Sequence, residues 1–124
     1  MSAPMSTARL RYLLTIYQLG QGGPVRSVQI ADRLDVTRAS VNRMLAVLTR
    51  EQVVQKEHYG RVQLTAQGLE LASRCWRQYS DLCQVLESRL DLPAEQLSSQ
   101  AIAVVADLGP DGVQGILDSV ERPA

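Results

Sequence analysis

Few of the residues that build metal sites, catalytic sites or aromatic cores are present in this sequence. Its 124 residues include no Phe, one Trp, four Tyr, one His and two Cys. Because hydrophobic residues still make up 45% of the chain, the core must consist mainly of Leu, Val, Ile and Ala. With one His, no Gly-rich phosphate loop and no paired carboxylates at a suitable spacing, the sequence offers no catalytic set, and an enzyme is not expected.

Long apolar runs and export signals are also lacking. No apolar stretch approaches the length needed to cross a membrane. The N-terminal MSAPMSTARL has no basic start followed by an apolar segment, as a signal peptide would. Two Cys in a chain of this size favour reduced thiols over a disulfide framework. We therefore expect a cytoplasmic protein with one domain or two very small ones.

The net charge of the whole chain is zero, but the charges are distributed unevenly along it. Residues 1–77 hold eleven Lys and Arg against five acids, which gives +6, and residues 78–124 hold two against eight, which gives −6. Twelve of the thirteen basic residues are Arg, whose planar donor fork suits phosphate and guanine, although a GC-rich genome would also raise the Arg content. The asymmetry predicts a nucleic-acid contact in the first half of the chain.

Helical spacing and turn residues predict three helices in the first part of the chain. Ser6 or Thr7 can cap the first helix, and the GQGGP segment (20–24) ends it. A second short helix is capped by Ser27, and Thr37 caps a third after a tight turn. In the stretch LDVTRASVNRML, one helix face is apolar and the other carries Arg, Ser and Asn without an acid. Two short helices joined in this way predict a helix-turn-helix.

The segment VVQKEHYGRVQLT (53–65) predicts a β-hairpin. Two short runs of alternating residues flank a Tyr-Gly pair, with Val54 on one arm and Val62 on the other. A helix-turn-helix followed by a hairpin is a winged helix. The predicted fold is therefore mainly α, with an N-terminal winged helix-turn-helix of three helices and a β-hairpin wing over residues 1–68.

Polar side chains on the second helix, the third helix and the wing form the predicted DNA contact. Arg43 suits guanine and Asn42 suits adenine in the major groove, while basic wing residues would follow the backbone or enter the minor groove. The alternatives are a solvated helix face and a solvated hairpin tip. The predicted DNA-binding residues are Arg26, Ser27, Gln29, Thr37, Arg38, Ser40, Asn42, Arg43, Arg50, Lys56, His58, Tyr59 and Arg61.

Thr65 can cap a predicted fourth helix. Its apolar residues follow a heptad spacing, which is narrower than the apolar stripe of a helix that packs on an ordinary core. Apolar and aromatic residues recur at alternating steps of three and four, which suits packing along another helix. We call this row the seam and expect it to form a dimer interface, with a ligand pocket at its two aromatic residues as the alternative. The seam consists of Leu69, Ala72, Trp76, Tyr79, Cys83, Leu86 and Leu90.

Helices fill the rest of the predicted second domain, residues 69–124. Pro93 opens a fifth helix, the Gly-Pro pair at 109–110 breaks it, and a sixth follows. Leu108 and Ile116 belong to the apolar stripes of these two helices.

The two cysteines lie on the fourth helix. Cys75 and Cys83 are eight residues apart, which on a helix is about 12 Å of rise and too far for a disulfide within it. Cys83 is on the seam, so it could meet its own copy across a two-fold axis. The simpler interpretation is that both are small buried apolar side chains.

Three segments resemble the iron- and manganese-dependent repressors of the diphtheria-toxin-repressor type. They are YLLTIYQL (12–19), VRSVQIADRLDVTRASVNRMLAVLTREQVV (25–54) and HYGRVQLTAQGLELA (58–72). The order of features is that of the family: helix one, the wing, the LTxxG motif at residues 64–68 (the LTxxG step) and a helical tail. The chain ends before the SH3-like third domain of longer members. The resemblance implies a homodimeric repressor of the short, two-domain, manganese type. Its expected partner is an operator in double-stranded DNA, pseudo-palindromic to match the dimer.

The metal ligands that the resemblance implies are not preserved. Members of the family bind metal through an acid or Met on helix one, a His on helix four and an acid, Cys or His cluster on helix five. Divalent iron and manganese need carboxylate, imidazole or thiolate donors, and the only His, His58, is in the wing. We therefore expect no metal site and no cofactor. On this sequence the ligand positions fall at Arg11, Leu14, Ser80, Ile102, Val105 and Ala106.

The sequence thus predicts a metal-independent transcriptional regulator that binds DNA as a homodimer. The resemblance implies that it acts as a repressor. The alternative is a winged-helix interaction module that pairs with another regulator, which the acidic second half would fit. If apolar packing of Leu14 with Ile102 and Val105 replaces the metal bridge, the DNA-binding arrangement would be constitutive. Otherwise thiol chemistry at Cys83 or a small apolar ligand would tune it.

Overall fold

The structure is a computed structural model that describes residues 5–89 and 93–121. Helices dominate it, and the strands are short. Within the described residues, no helix combines the length and the hydropathy needed to cross a bilayer. In chain order the elements are α1 (Thr7–Gly20), β1 (Val25–Arg26), α2 (Ser27–Leu34), α3 (Arg38–Arg50), β2 (Val54–Lys56), a 3-10 turn (His58–Gly60), β3 (Arg61–Leu64), α4 (Ala66–Arg89) and α5 (Ala94–Glu121).

The chain divides into two compact units. Residues 11–73 form one of them, which we call the winged-helix unit. The described parts of residues 1–10 and 74–124 form the other, the helical unit. Because α1 and α4 each run through both units, the domain boundary expected after residue 68 stays a prediction.

Side-chain caps begin the helices of the winged-helix unit much as the sequence predicts. The backbone N–H of Arg9 donates to Ser6 Oγ over 3.1 Å at the start of α1, and the N–H of Ser40 donates to Thr37 Oγ1 over 3.1 Å at the start of α3. The expected cap of α2 is wrong, because Ser27 is already helical and Arg26 precedes the helix. There the side chain of Gln29 reaches back, and its Oε1 accepts from the Arg26 N–H over 3.0 Å.

The predicted hairpin is present, and it belongs to a three-stranded antiparallel sheet. β2 pairs with β3 in a register that places Val54 opposite Leu64. A third strand, β1, pairs with the other edge of β3 and places Val25 opposite Val62. The sequence did not predict β1, because a strand of two residues is too short to show alternation.

The base of the wing is joined tightly to the first turn of α4. Thr65 Oγ1 donates to the Gln52 carbonyl over 2.6 Å and accepts from the Gly68 N–H over 3.0 Å, so the predicted cap is confirmed. A Cβ on Gly68 would lie 1.9 Å from the Val53 carbonyl oxygen. The glycine of the LTxxG step is therefore required by this close approach.

A single apolar core holds the winged-helix unit together. It is built almost entirely from aliphatic side chains, as the lack of Phe requires. Each of the three helices, the sheet and the start of α4 contributes to it. Its buried members are Tyr12, Leu13, Ile16, Val25, Ile30, Ala31, Val41, Leu45, Leu48, Val53, Val54, Val62, Leu64 and Ala72. The winged helix-turn-helix predicted from the sequence is confirmed.

The helical unit contains the greater part of α4 and all of α5. Inside α5, Gly109 has φ 72° and ψ 171° and is followed by Pro110, so the predicted break is confirmed and the predicted sixth helix is the segment after it. Leu108 is 46% exposed and Ile116 38% exposed, so the expected apolar stripes are wrong at these two positions.

Candidate nucleic-acid interface

The helix α3 has one buried face and one open face. Val41, Leu45 and Leu48 are buried in the core, and this fixes the rotation of the helix about its axis. The opposite face contains no acid, so nothing on the helix opposes the approach of a phosphate backbone. The predicted contact residues Arg38, Asn42, Arg43 and Arg50 are all exposed on α3.

Hydrogen bonds order the N-terminal end of this open face. Thr37 Oγ1 donates to Ser40 Oγ over 3.0 Å, and Arg43 Nη2 donates to the same oxygen over 3.4 Å. Burial raises the pKa of Tyr12, and the positive charge of Arg43 opposes that shift, which places the guanidinium near the phenol. Ser40 therefore serves to position Arg43, and its hydroxyl is less available to a base than the sequence implied.

The residues predicted at the start of α2 have separate roles in the structure. Arg26 and Gln29 are exposed, and Ser27 is half-buried. Because Gln29 Oε1 already accepts from the Arg26 backbone, only its amide NH₂ is open to an outside acceptor such as a phosphate oxygen.

The tip of the wing is a tight turn with exposed side chains. The Glu57 N–H donates to the Arg61 carbonyl over 2.8 Å and closes the turn. Tyr59 is 93% exposed, and its φ of 63° lies in the left-handed region of backbone conformations. The rings of His58 and Tyr59 are 6.2 Å apart, and Lys56, His58 and Arg61 are exposed as well.

One residue that orients the wing was not predicted from the sequence. Gln63 Nε2 donates to the Gly22 carbonyl over 3.0 Å, so it ties β3 to the loop after α1. The two residues are 41 positions apart, and no local pattern could have indicated the bond.

The positions implied as metal ligands do not fit a transition metal. Arg11 is exposed, whereas Leu14, Val105 and Ala106 are buried and Ser80 and Ile102 are half-buried. None of the six carries a carboxylate, imidazole or thiolate donor. Nor does any group of three or more His, Cys, Asp and Glu side chains that could hold a metal ion occur in the part of the chain that the structure describes.

The two thiols are poor candidates for a redox switch. Burial raises the pKa of Cys75 to about 11, and burial is also the main cause that raises the pKa of Cys83. Since the thiolate is the reactive form, both side chains stay protonated near neutral pH. The thiol chemistry that the sequence left open at Cys83 is therefore not favoured by its surroundings.

The seam residues differ in how much surface they leave open. Ala72 lies inside the core of the winged-helix unit, while Leu69 is 38% exposed. The Tyr79 hydroxyl lies 2.7 Å from Ser98 Oγ, and its ring centroid lies 5.5 Å from that of Trp76. The half-buried members are Trp76, Tyr79, Cys83 and Leu86, and Leu90 lies outside the described residues.

Comparison with known proteins identifies the domain that carries this interface. Residues 5–62 match the family model described as "Iron dependent repressor, N-terminal DNA binding domain". That match places the N-terminal part of the chain, residues 5–62, in the iron-dependent repressor family. The resemblance noted in the sequence is thereby confirmed, and the family is one of DNA-binding regulators, not of enzymes.

Individual relatives of the family agree with this assignment. The diphtheria toxin repressor of Corynebacterium jeikeium (strain K411) is 32% identical over 91 residues, which is 73% of this chain and 38% of that protein. The structure of the manganese regulator SloR has a TM-score of 0.78 at 24% identity and covers 98% of this chain, and the chain spans 55% of SloR. The T. acidophilum IdeR structure has a TM-score of 0.71 at 22% identity, over 91% of this chain and 54% of IdeR. These two structures show the shared fold.

Proposed function

We propose that this protein regulates transcription by inserting α3 into the major groove of an operator. One observation carries the proposal: α3 presents an acid-free face on which Arg43 is oriented by Ser40. Arg38, Asn42 and Arg50 are exposed on the same helix. A guanidinium held in place pays less entropy on binding guanine than a freely rotating one. The wing and the start of α2 would add contacts to the DNA backbone.

The protein is further proposed to act as a homodimer through the seam. Leu69 leaves apolar surface open, and Trp76 and Leu86 are only half-buried in the single chain, as expected for side chains that a partner would cover. Ala72 is excluded from the proposed interface because it is already in a core. Two copies related by a two-fold axis would read a pseudo-palindromic operator. A repressor role and a cytoplasmic location belong to the same proposal.

Regulation without a transition metal is the third part of the proposal. The six positions at which the family binds its metal hold side chains with no suitable donor. Leu14, Val105 and Ala106 are buried there, as ordinary packing residues are. We infer that DNA binding does not depend on manganese or iron.

The groove assignment is tested by selecting an operator from random DNA and measuring its affinity at several salt concentrations. Arg43→Ala should weaken binding by about 1–3 kcal/mol and relax the preference at one base pair. The matched control is Arg89→Ala, because Arg89 is exposed on α4 in the acidic half of the chain. Its effect on affinity should be small. Equal binding by wild type and Arg43→Ala would overturn the assignment, and weak, salt-insensitive binding would favour the protein-interaction module instead.

A further inference from the structure

The tip of the wing carries an aromatic side chain whose surface is almost entirely open. Tyr59 is 93% exposed, and its ring centroid lies 6.2 Å from that of the neighbouring His58. The other three tyrosines differ from it, because Tyr12 is buried and Tyr17 and Tyr79 are half-buried. A single exposed apolar side chain is common on protein surfaces, so exposure alone assigns Tyr59 no role.

The backbone at Tyr59 has a conformation that aromatic residues seldom adopt. Tyr59 has φ 63° and ψ 40°, and Gly60 follows with φ 70°, so two consecutive residues of the turn are left-handed. Hairpin turns of this kind favour Asn-Gly and Asp-Gly, because the short side chains of Asn and Asp tolerate a positive φ. A tyrosine here is strained and is too exposed to offset that strain by packing. Folding of the free chain therefore favours a different residue at position 59.

Two arginines face each other on the sheet that carries the tip. β1 pairs with β3 in a register that places Arg26 directly opposite Arg61, and both side chains are exposed. Like charges that lie directly opposite on neighbouring strands destabilise a sheet. A phosphate group that accepts hydrogen bonds from both guanidinium groups would replace this repulsion with attraction. The pair therefore favours an anionic partner on the open side of the sheet.

The acid of the wing does not oppose such a partner at the tip. Glu57 is the only acid in the segment 53–65. Gln55 Nε2 donates to Glu57 Oε1 over 3.0 Å, which ties the carboxylate to β2, and Glu57 is half-buried. The exposed side chains around the turn are thus an aromatic ring and basic groups, with Lys56 and His58 beside Tyr59.

The backbone of double-stranded DNA offers a partner for both kinds of group. Its phosphates suit the arginines. Since the bases of a duplex are stacked on one another, the apolar surface that a side chain reaches along the backbone is that of the deoxyribose. Tyr59 has an apolar ring with a polar end, so the ring can lie on a sugar while the hydroxyl stays in water. Arg61 follows Tyr59 by two residues, which brings the two contacts to neighbouring parts of one strand.

We propose that Tyr59 anchors the wing to DNA by packing its ring against a deoxyribose beside the phosphate that Arg26 and Arg61 bind. The inference rests on the proposed function and adds to it a contact that does not depend on charge. Because every nucleotide presents the same sugar, the contact raises affinity for all sequences alike. Because it releases no counterion, its contribution is insensitive to salt.

The first test compares Tyr59→Asn with the matched control Tyr59→Phe, which keeps the ring. Affinities are measured for the selected operator and for an unrelated duplex at several salt concentrations. Tyr59→Asn should weaken binding to both by about fivefold or more and leave the salt dependence unchanged. Tyr59→Phe should stay within about twofold of wild type. A change in salt dependence would show that Tyr59 acts through charge and would overturn the proposal.

The stability of the same variants provides a readout that a structural role would move in the opposite direction. Asn tolerates the left-handed backbone, so Tyr59→Asn should unfold at a midpoint roughly 2–5 °C above that of wild type. Stability should thus rise while DNA affinity falls. A midpoint below that of wild type would show that Tyr59 supports the fold and would overturn the proposal.

Chemical modification locates the contact directly. N-acetylimidazole should acetylate Tyr59 fastest of the four tyrosines in the free protein, because it is the only exposed one. Saturating operator DNA should protect it, as measured by mass spectrometry of peptides. Equal acetylation of Tyr59 with and without DNA would overturn the proposal.

The outcomes separate this contact from the proposed function. If wild type binds the operator and Tyr59→Asn binds it equally well, the sugar contact is overturned and the groove assignment stands. If Tyr59→Asn changes the preference at a base pair, the ring contacts bases and the sugar contact is again overturned. If wild type binds no DNA, the proposed function fails and this inference fails with it.

Discussion

At the scale of single residues, Gly68 shows how backbone contact can outweigh helix propensity. It lies in the first turn of α4, where alanine would ordinarily be the better residue. Its missing side chain leaves room for the Val53 carbonyl, whose oxygen a Cβ would approach to 1.9 Å. The same approach lets Thr65 bond both the helix and the loop before β2. A small residue is thus needed to join the wing to α4.

We expect Gly68→Ala to destabilise the protein by more than about 2 kcal/mol, because Val53 and α4 must move apart. The matched control is Gly115→Ala in α5, since a Cβ there would meet nothing within 4 Å. That change should be neutral or should stabilise by about 0.5–1 kcal/mol. Thermal and urea denaturation measure both. Equal stability of the two variants would contradict the account of the LTxxG step.

The thiol of Cys75 gives a pH-dependent prediction at the same scale. Its pKa is raised by burial from 9.0 to about 11, so the folded state favours the protonated form. The stability contributed by this group is present below pH 9 and is lost as the pH rises from 9 towards 11. Alkylation by iodoacetamide, followed by mass spectrometry, should modify Cys75 only in that range and should reach the half-buried Cys83 first. Rapid alkylation of Cys75 near neutral pH would count against the buried placement.

At the scale of elements, α3 and the wing are suited to different parts of DNA. The helix is held by Val41, Leu45 and Leu48, so its outer side chains occupy defined positions, as base recognition requires. The side chains of His58, Tyr59 and Arg61 at the wing tip are all exposed. Such a tip suits the phosphate backbone, where charge matters more than geometry.

This difference predicts distinct effects of two arginine substitutions. Arg61→Ala in the wing should weaken binding to all DNA sequences by a similar factor and reduce the salt dependence by about one counterion. Arg43→Ala should instead change the preference at one base pair. Affinities for the selected operator and for single-base variants, each measured at several salt concentrations, distinguish the two. A sequence-specific effect of Arg61→Ala would show that the wing reads bases.

At the scale of the whole molecule, assembly determines whether two recognition helices can act together. The proposed interface rests on the seam, of which Leu86 is half-buried in the single chain. Leu86→Asp places a charge in that apolar row and should yield monomers. The operator affinity should fall sharply, because two half-sites can no longer be bound by one particle. Gln84→Asp, at an exposed position of the same helix, should remain dimeric. Sedimentation measures both, and a monomeric wild type at tens of micromolar would refute the interface.

Metal response is the second property of the whole molecule that can be measured. Because the six family ligand positions hold no donors for iron or manganese, operator affinity should change by less than about tenfold, or 1.4 kcal/mol, between added metal and chelator. The comparison uses manganese, ferrous iron and chelator on the same operator. A larger change would reveal a metal site elsewhere in the chain.

Local chemistry was sufficient to predict much of this protein from its sequence. The caps at Ser6, Thr37 and Thr65 bond backbone groups only three residues away, so their effect is present in any short segment. The same holds for the break at Gly109 and for the apolar and open faces of α3. The residues at the positions implied for the family's metal ligands are read from the sequence alone, and the metal-independence inferred from them stays a prediction.

Tertiary structure decided the features that depend on distant parts of the chain. β1 exists only because β3 offers it an edge, and Gln63 bonds a carbonyl 41 residues away. Gln78 reaches the Pro110 carbonyl across 32 residues, which joins α4 to α5. Such contacts produce no periodic pattern of apolar and polar residues in the sequence. The pattern around each residue is set by its own helix or strand and not by the distant residue that it contacts.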